Sequence, residues 1–382
     1  MTEPLFRRDP EDGAAGGGGA AARDGAASGG AASGGAASGG GALGFGLIGY
    51  GAVADLHVRA LQSIEGVRLV GAAGRNGDKA AAFAARYGGG FAAFGDVADL
   101  LARDDVDVVC IVTSSGSHAA YAEAALKAGK HVVVEKPLAM TSRECDRLIA
   151  LAEERGLHLA GIFQRRCEPA YAKAKRMLDE GRIGRLLFVE AQTPFYRPQS
   201  YYDSADWRGT IAEDGGALMN QGIHQVDLML WYGGEPVSVS GKAATATHVM
   251  EAEDLAAAVV EFAGGAFGLL SASTSFAPGF PPAVKLFGER GSIWLEGNAI
   301  VRWEVPDVPP PEQLGPASIE GGSDPMAISY ANHQRQLADI AAAIAAGRTP
   351  SPSAREARAA VRLVEAVLES ARTRREVQFD AP

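Results

Sequence analysis

The sequence predicts an α/β chain of two domains, and three observations lead there. A glycine turn, Gly49-Tyr50-Gly51-Ala52-Val53-Ala54, stands between a short apolar run and a helical stretch. Further apolar runs alternate with helical stretches as far as residue 165, the pattern of parallel strands joined by crossover helices. Beyond that, strand-like segments follow one another across short turns, which suit antiparallel neighbours. The expected architecture is a Rossmann dinucleotide-binding domain over residues 42–165, then an α+β domain over residues 166–382 that binds substrate and carries an open, mainly antiparallel sheet.

Composition narrows the function. A chain of 382 residues, 47% hydrophobic, can bury two cores. A formal charge of −10 disfavours nucleic acid and acidic membrane surfaces, leaving small molecules as the expected partners. Cys110, Cys145 and Cys167 are far apart and form no C-x-x-C, so neither a disulfide framework nor a metal site is expected, and a cytoplasmic location fits. Residues 1–41 hold 13 of the 49 glycines and three copies of Ala-Ala-Ser-Gly-Gly, and are expected to be a disordered tail. Arg7-Arg8 is followed by Asp9, Pro10, Glu11 and Asp12 where an export signal needs an apolar region.

Taken in order, the first strand opens at Ala42 and runs into G-x-G-x-x-A. Gly49 permits the tight turn, Gly51 lets backbone N–H groups approach a pyrophosphate, and Ala54 allows close packing of helix on strand. The second strand, Val67 to Ala73, ends in Gly74-Arg75-Asn76, where NAD enzymes usually carry a carboxylate for the ribose. A guanidinium there pairs with a 2′-phosphate, so NADP(H) is favoured, with NAD(H) the alternative. Helices are expected over Asp78–Tyr87 and Val97–Ala102, then a buried strand over Val106–Val112. That strand ends in Thr113 and His118, expected near the cofactor, with His118 also suited to a structural role at the next helix start.

The apolar run His131 to Val134 reads as the fourth clear parallel strand and ends in Glu135-Lys136-Pro137. Open α/β sheets bind ligands at strand carboxyl ends, so chemistry is expected at Lys136, with Pro137 fixing the turn, a cis bond being one way to do so. A helix over Ser142–Arg155 with Ser142 as N-cap and a strand over His158–Ile162 complete the domain.

In the second domain a helix over Pro169–Glu180 precedes strands over Leu186–Pro194, Val237–Thr247, Ala256–Phe262, Ala266–Ser275, Ala283–Phe287, Gly291–Leu295 and Ala299–Trp303. One helix, Gly215 to Asp227, places Asn220, His224 and Asp227 near one face, and His224 suits acid/base work near neutrality. Tyr196, Arg197, Tyr201, Tyr202, Trp207 and Arg208 make an aromatic and basic loop of the kind that stacks on sugars and binds carboxylate or phosphate, with Tyr202, Trp207 and Arg208 expected at the substrate. Helices over Ala327–Ala346, with His333 and Gln336 read as surface or interdomain packing, and Ala354–Thr373 lead to an edge strand at Val377 and Phe379.

With these motifs in hand, the chain resembles the Gfo/Idh/MocA oxidoreductases, named for glucose-fructose oxidoreductase and inositol dehydrogenase. G-x-G-x-x-A followed by His57, Thr113 with His118, Glu135-Lys136-Pro137 and the helix of His224 carry the likeness. Trp207 to Thr210 and Gly215 to His224 are similar to the sugar-nucleotide dehydrogenase branch. The resemblance implies hydride transfer between nicotinamide C4 and a ring carbon of a sugar, sugar derivative or cyclitol. It gives Lys136 and His224 as catalytic residues, Glu135 and Arg165 beside the cofactor, and Asn220 at the substrate. Asn220 departs from the aspartate of inositol-dehydrogenase-like members, and an amide cannot take a proton. The alternatives are action on a non-sugar carbonyl or dihydrodiol, and a cofactor-sensing protein without turnover. An exposed apolar sheet face makes a homodimer or homotetramer the expected assembly.

Overall fold

The computed structural model describes residues 42–311 and 329–379. The tail expected over residues 1–41 and the first two residues of the helix expected from Ala327 lie outside them.

The first domain is a six-stranded parallel sheet: β1 (Leu43–Ile48), β2 (Val67–Ala73), β3 (Ala92–Phe94), β4 (Val108–Ile111), β5 (His131–Val134) and β6 (Leu159–Gly161), in the order β3-β2-β1-β4-β5-β6. The order reverses between β1 and β4, the crevice where such sheets take ligands. Crossovers are made by α1 (Ala52–Leu61), α2 (Gly77–Ala85), α3 (Val97–Leu101), α4 (His118–Lys127) and α5 (Ser142–Glu154). Val132, Val133 and Val134 are at most 1% exposed, and complete burial contributes about 1.5–3 kcal/mol for each such side chain. β3 was not expected, because Ala-Ala-Phe is too short to show a period, so Lys136 follows the fifth strand rather than the fourth. The N-cap of α5 is Thr141, in a reciprocal capping box with Glu144. Ser142, expected to cap, bonds Glu365 at 2.5 Å instead.

In the second domain α6 (Pro169–Asp179), β7 (Leu186–Pro194), the short α7 (Gln199–Tyr202) and α8 (Ile223–Gly233) precede β8 (Pro236–Ala244), β9 (Leu255–Phe262), β10 (Phe267–Ser273), β11 (Ala283–Gly288), β12 (Ser292–Glu296) and β13 (Ala299–Glu304). With β14 (Val377–Gln378) the sheet has eight strands, all pairs antiparallel except β7 with β10. α8 covers one face, which buries Val189, Ala191, Val260 and Leu270, while Val259 and Phe267 on the other are each 49% exposed.

The chain then returns to the first domain. α9 (Ala331–Ala346) packs Leu337, Ile340 and Ile344 among Phe45, Leu47, Val58 and Leu61, although residues 166–382 were expected to form one separate unit. Gln336, read as surface or packing, is fully buried and bonds both Phe163 N and Gly161 O. α10 (Ala354–Thr373) lies across α5, α8 and β8. Arg166 joins the halves, donating to both oxygens of Asp227 at 2.6 and 2.9 Å and to Glu356 at 2.5 Å. No described helix is long and apolar enough to cross a membrane.

Before α8 the backbone makes a π-helical turn, Ala217–Gly222, where an uninterrupted helix was expected from Gly215. Buried Glu253 holds its start, accepting from Leu218 N at 2.9 Å while its own carbonyl accepts from Ala217 N. Burial pushes the Glu253 carboxyl up to about 7 from 4.5. Between those values the folded chain keeps a proton that the unfolded chain has released, so rising pH lowers stability across that window. We expect urea unfolding of the wild type to lose about 3 kcal/mol from this group between pH 4.5 and 7, and Glu253→Gln to lose correspondingly less. Equal pH dependence of the two proteins would contradict the assignment.

Candidate active site

A cleft of about 1370 Å³ runs from the glycine turn, past Lys136, to Trp207 and Arg208. At its first end Gly49 has φ 112°, and a side chain there would press within 2.7 Å of the Val112 carbonyl. Gly51 faces open space where a side chain would have stood, and caps α1, whose first N–H groups lack intrahelical partners. This cradle fits a pyrophosphate. Ala54 is fully buried and serves the packing of α1. Gly74 is forced by the Tyr50 ring, 2.2 Å from where a Cβ would stand, and Arg75 beside it lines the cleft. Asn76, expected at the cofactor, is instead the N-cap of α2, accepting from Lys79 N at 2.9 Å.

Glu135, Lys136 and Pro137 leave β5 through a cis Lys136–Pro137 bond. His118 clamps this turn: Nδ1 lies 2.7 Å from the Pro137 carbonyl and Nε2 3.2 Å from that of Thr113. Burial lowers its pKa, and a neutral imidazole has one N–H, assigned here to the shorter contact. His118 thus touches the cleft wall but commits its one N–H to holding the turn. Thr113 also lines the cleft and accepts from Ser117 Oγ at 2.7 Å.

Glu135 is 7% exposed, and its Oε1 accepts from His57 Nε2 at 2.8 Å and His333 Nε2 at 3.2 Å. Burial alone would raise this carboxyl, but the two imidazoles hold it well below the usual range. The three ligand atoms lie within 4.8 Å of one another, close enough for a metal ion. Hydrogen bonds already account for the geometry, and neither Nδ1 has the outer partner that metal-bound imidazoles normally keep. Glu135 is therefore a tie between α1, β5 and α9.

Lys136 Nζ donates to the Asn220 carbonyl at 2.7 Å and to Asn220 Oδ1 at 3.3 Å. The Asn220 amide in turn donates to Asp214, which also accepts from Gly209 N at 2.8 Å. These contacts settle the amide's orientation, with nitrogen toward the carboxylate and oxygen toward the ammonium. Burial lowers the Lys136 pKa, opposed by Glu135 and Asp214 and assisted by Arg197 and Arg165. His224 lines the same cleft, its ring edge-on to Phe163. Burial first, then the cations Lys136 and Arg165, hold it well below the ordinary imidazole value, so it rests neutral and able to accept a proton. Asp227 is drawn away from this face by Arg166.

Of the loop residues, Trp207 and Arg208 line the cleft and Tyr202 does not. Tyr202 is buried behind the wall, its hydroxyl 2.7 Å from Thr274 Oγ1, and the neighbouring Tyr201 faces the cleft instead. Gln221 and Arg197 also line the cleft at this end, and Asp214 is buried behind Asn220. A carboxylate six residues before Asn220, across two glycines, was the available sign of Asp214.

Comparison with known proteins places this geometry. Residues 43–162 match the oxidoreductase family model with an NAD-binding Rossmann fold, and residues 171–294 match the GFO/IDH/MocA C-terminal domain. Over 178 residues, 46% of this chain and 44% of the relative, there is 35% identity to a 1-carboxy-3-chloro-3,4-dihydroxycyclo hexa-1,5-diene dehydrogenase of Comamonas testosteroni. Over 176 residues, 44% of this chain and 50% of the relative, there is 36% identity to the dTDP-3,4-didehydro-2,6-dideoxy-alpha-D-glucose 3-reductase of Actinomadura kijaniata. The matches thus span half the length of these curated relatives or less. The WlbA dehydrogenase of Bordetella pertussis, solved with NADH and UDP-GlcNAcA, superposes with a TM-score of 0.80 at 28% identity, covering 90% of this chain and 99% of that one. With both halves matched in order by models of one family, the chain belongs to the Gfo/Idh/MocA oxidoreductases.

Proposed function

We propose that this protein is an NAD(P)-dependent dehydrogenase or reductase that moves hydride between nicotinamide C4 and a ring carbon of a sugar, sugar derivative or cyclitol. The observation that carries the reading is Lys136, held at the carboxyl end of β5 by Asn220 with His224 on the same cleft. The glycine turn, Gly74, Arg75, Thr113 and Arg165 form the cofactor side, and Asn220, Trp207 and Arg208 the substrate side. When bound, the nicotinamide supplies the hydride acceptor or donor. In the oxidative direction Lys136 or His224 would take the substrate's hydroxyl proton as the carbinol carbon surrenders its hydride, leaving a carbonyl. Lys136 stabilises the developing alkoxide, and neutral His224 can receive the proton. Cofactor and sugar-nucleotide relatives support the class, while the dihydroxycyclohexadiene dehydrogenase of Comamonas supports a second reading, action on a dihydrodiol. A homodimer or homotetramer through the open sheet face belongs to the same proposal, supported by exposed Val259, Phe267 and Leu269.

Three experiments test the reading. Lys136→Met is expected to lower kcat at least about a hundredfold with cofactor affinity nearly intact, measured by steady-state kinetics and cofactor fluorescence titration across a sugar, cyclitol and dihydrodiol panel. Unchanged kcat would remove Lys136 from the chemistry. Asp214→Asn removes a carboxylate that favours the ammonium, so the alkaline rise of kcat/KM should move to lower pH; a shift to higher pH would refute the coupling. For the cofactor, Arg75 supports NADP(H): Arg75→Ala should weaken NADP(H) roughly tenfold and leave NAD(H) unaltered. Wild-type affinity for NAD(H) equal to or above that for NADP(H) would overturn the preference.

A further inference from the structure

Three buried side chains from separate elements meet beneath the reacting lysine: Glu135 after β5, His57 of α1 and His333 of α9. The two imidazole rings stand edge to face with centroids 5.5 Å apart, and both turn Nε2 to Glu135 Oε1. His57 is fully buried and His333 is 2% exposed. The carboxylate spends its other oxygen on the reacting residue itself, since Oε2 accepts from the Lys136 backbone N–H at 3.2 Å. One carboxylate thus links two imidazoles to the peptide that carries the lysine.

Packing alone does not explain this trio. Burying a carboxylate costs free energy even when it is hydrogen-bonded, and each imidazole also leaves its Nδ1 buried without a partner. Apolar side chains of similar volume would join the three elements without those losses. Such packing holds α9 a turn further on, where Leu337, Ile340 and Ile344 sit among apolar residues of the first domain and Gln336 bonds Gly161 O and Phe163 N. What the trio adds is a negative charge, fixed near Lys136 but not paired with its ammonium, whose N–H groups go to Asn220.

The two imidazoles are not equivalent. His333 lines the cleft with Glu135 and Lys136, whereas His57 lies behind them. His333 also arrives from 198 residues further along the chain. Of the charges that face Lys136, Glu135 and Asp214 favour its ammonium, Arg197 and Arg165 disfavour it, and His224 shares its cleft. Facing Glu135 are the two histidines, Cys110 of β4 and His118 of α4. Without a donor from His333, burial gains weight at Glu135 and draws its carboxyl toward the protonated form. The ammonium of Lys136 then loses one of its two supports.

We infer that His333 is a positioning residue that acts on Lys136 through Glu135: it holds a negative charge at the root of the turn and so sets how readily the lysine releases its proton. The inference rests on the proposed oxidoreductase reading, in which Lys136 addresses the reacting hydroxyl, and adds to it a control exerted from α9.

The test follows the lysine's proton and needs no turnover. Trace labelling of the full chain with acetic anhydride over a pH series is read by mass spectrometry on the peptide containing Lys136, with exposed Lys242 as reference, and gives the midpoint of deprotonation. His333→Met and His333→Gln have nearly the same shape, and only the second keeps an N–H at the reach of Nε2. His333→Met should move the Lys136 midpoint down by about one pH unit, and His333→Gln should leave it near the wild type. Glu135→Gln should also lower it, and adding His333→Met to that protein should change nothing further, because the charge through which His333 acts is already gone. His333→Asn, too short to reach Glu135, takes the place of His333→Met if that protein folds poorly. A midpoint that stays or rises without the donor, equal falls in the Met and Gln substitutions, or additive effects of His333→Met and Glu135→Gln would overturn the role. A purely structural tie gives the first of these, with lower thermal stability and the midpoint in place. Failure of the oxidoreductase reading shows elsewhere, as a wild type that binds no NADH or NADPH, and leaves the labelling result standing.

Discussion

The structure depends on presenting one ammonium group at the end of β5 without neutralising it. A carboxylate in direct contact would favour the charged form and lock the side chain in an ion pair. Lys136 is held instead by a backbone carbonyl and an amide oxygen, which take two of its three N–H groups and leave the ammonium without a direct ion pair. Such a contact needs both domains to be placed closely, because the lysine comes from the parallel sheet and its acceptors from a π turn of the second domain. Rare π turns often mark functional sites, and this one lies where the Asn220 carbonyl is turned to Lys136.

The elements around Lys136 can be understood as supports for that placement. β4 and β6 pair with β5 on either side, His118 holds the Pro137 carbonyl, and Glu135 draws His57 of α1 and His333 of α9 onto the root of the turn. Two imidazole donors stabilise a buried carboxylate, whereas loss of either would leave its charge poorly solvated. This explains why α9, remote in sequence, packs on the first domain: its apolar face covers the sheet while His333 closes the site.

Much of this was legible because it obeys local rules. β2, β7 and α10 lie at the expected boundaries, and the glycine turn falls between strand and helix, since periodicity and turn chemistry are properties of adjacent residues. What escaped depends on distant partners. Ala92 to Phe94 is a strand only because β2 offers an edge, and Asn76 resembles a cofactor ligand until the start of α2 claims its oxygen. Tyr201 and Tyr202 are indistinguishable as residue types, and only Thr274 waiting behind the wall decides which turns inward. Asp227 shared a helical face with His224 on paper, yet the buried Arg166 guanidinium outweighs that spacing, because an unpaired charge there would cost several kcal/mol.

Asn220 shows why a site must be judged beyond the residue that touches the reacting group. Read alone, an amide where relatives carry aspartate suggests a missing proton carrier. In three dimensions the carboxylate is displaced by one hydrogen bond: Asp214 binds the amide nitrogen, and the amide oxygen faces Lys136. The arrangement conserves the electrostatic influence of a carboxylate on the lysine while withholding direct proton exchange, because the intervening amide does not titrate. Burial lowers the lysine's pKa and Asp214 opposes that shift from behind Asn220, so the two effects act on the same proton from different distances. A lysine whose pKa is lowered by burial gives up its proton more readily than a surface lysine, and the carboxylate behind Asn220 limits how far that goes.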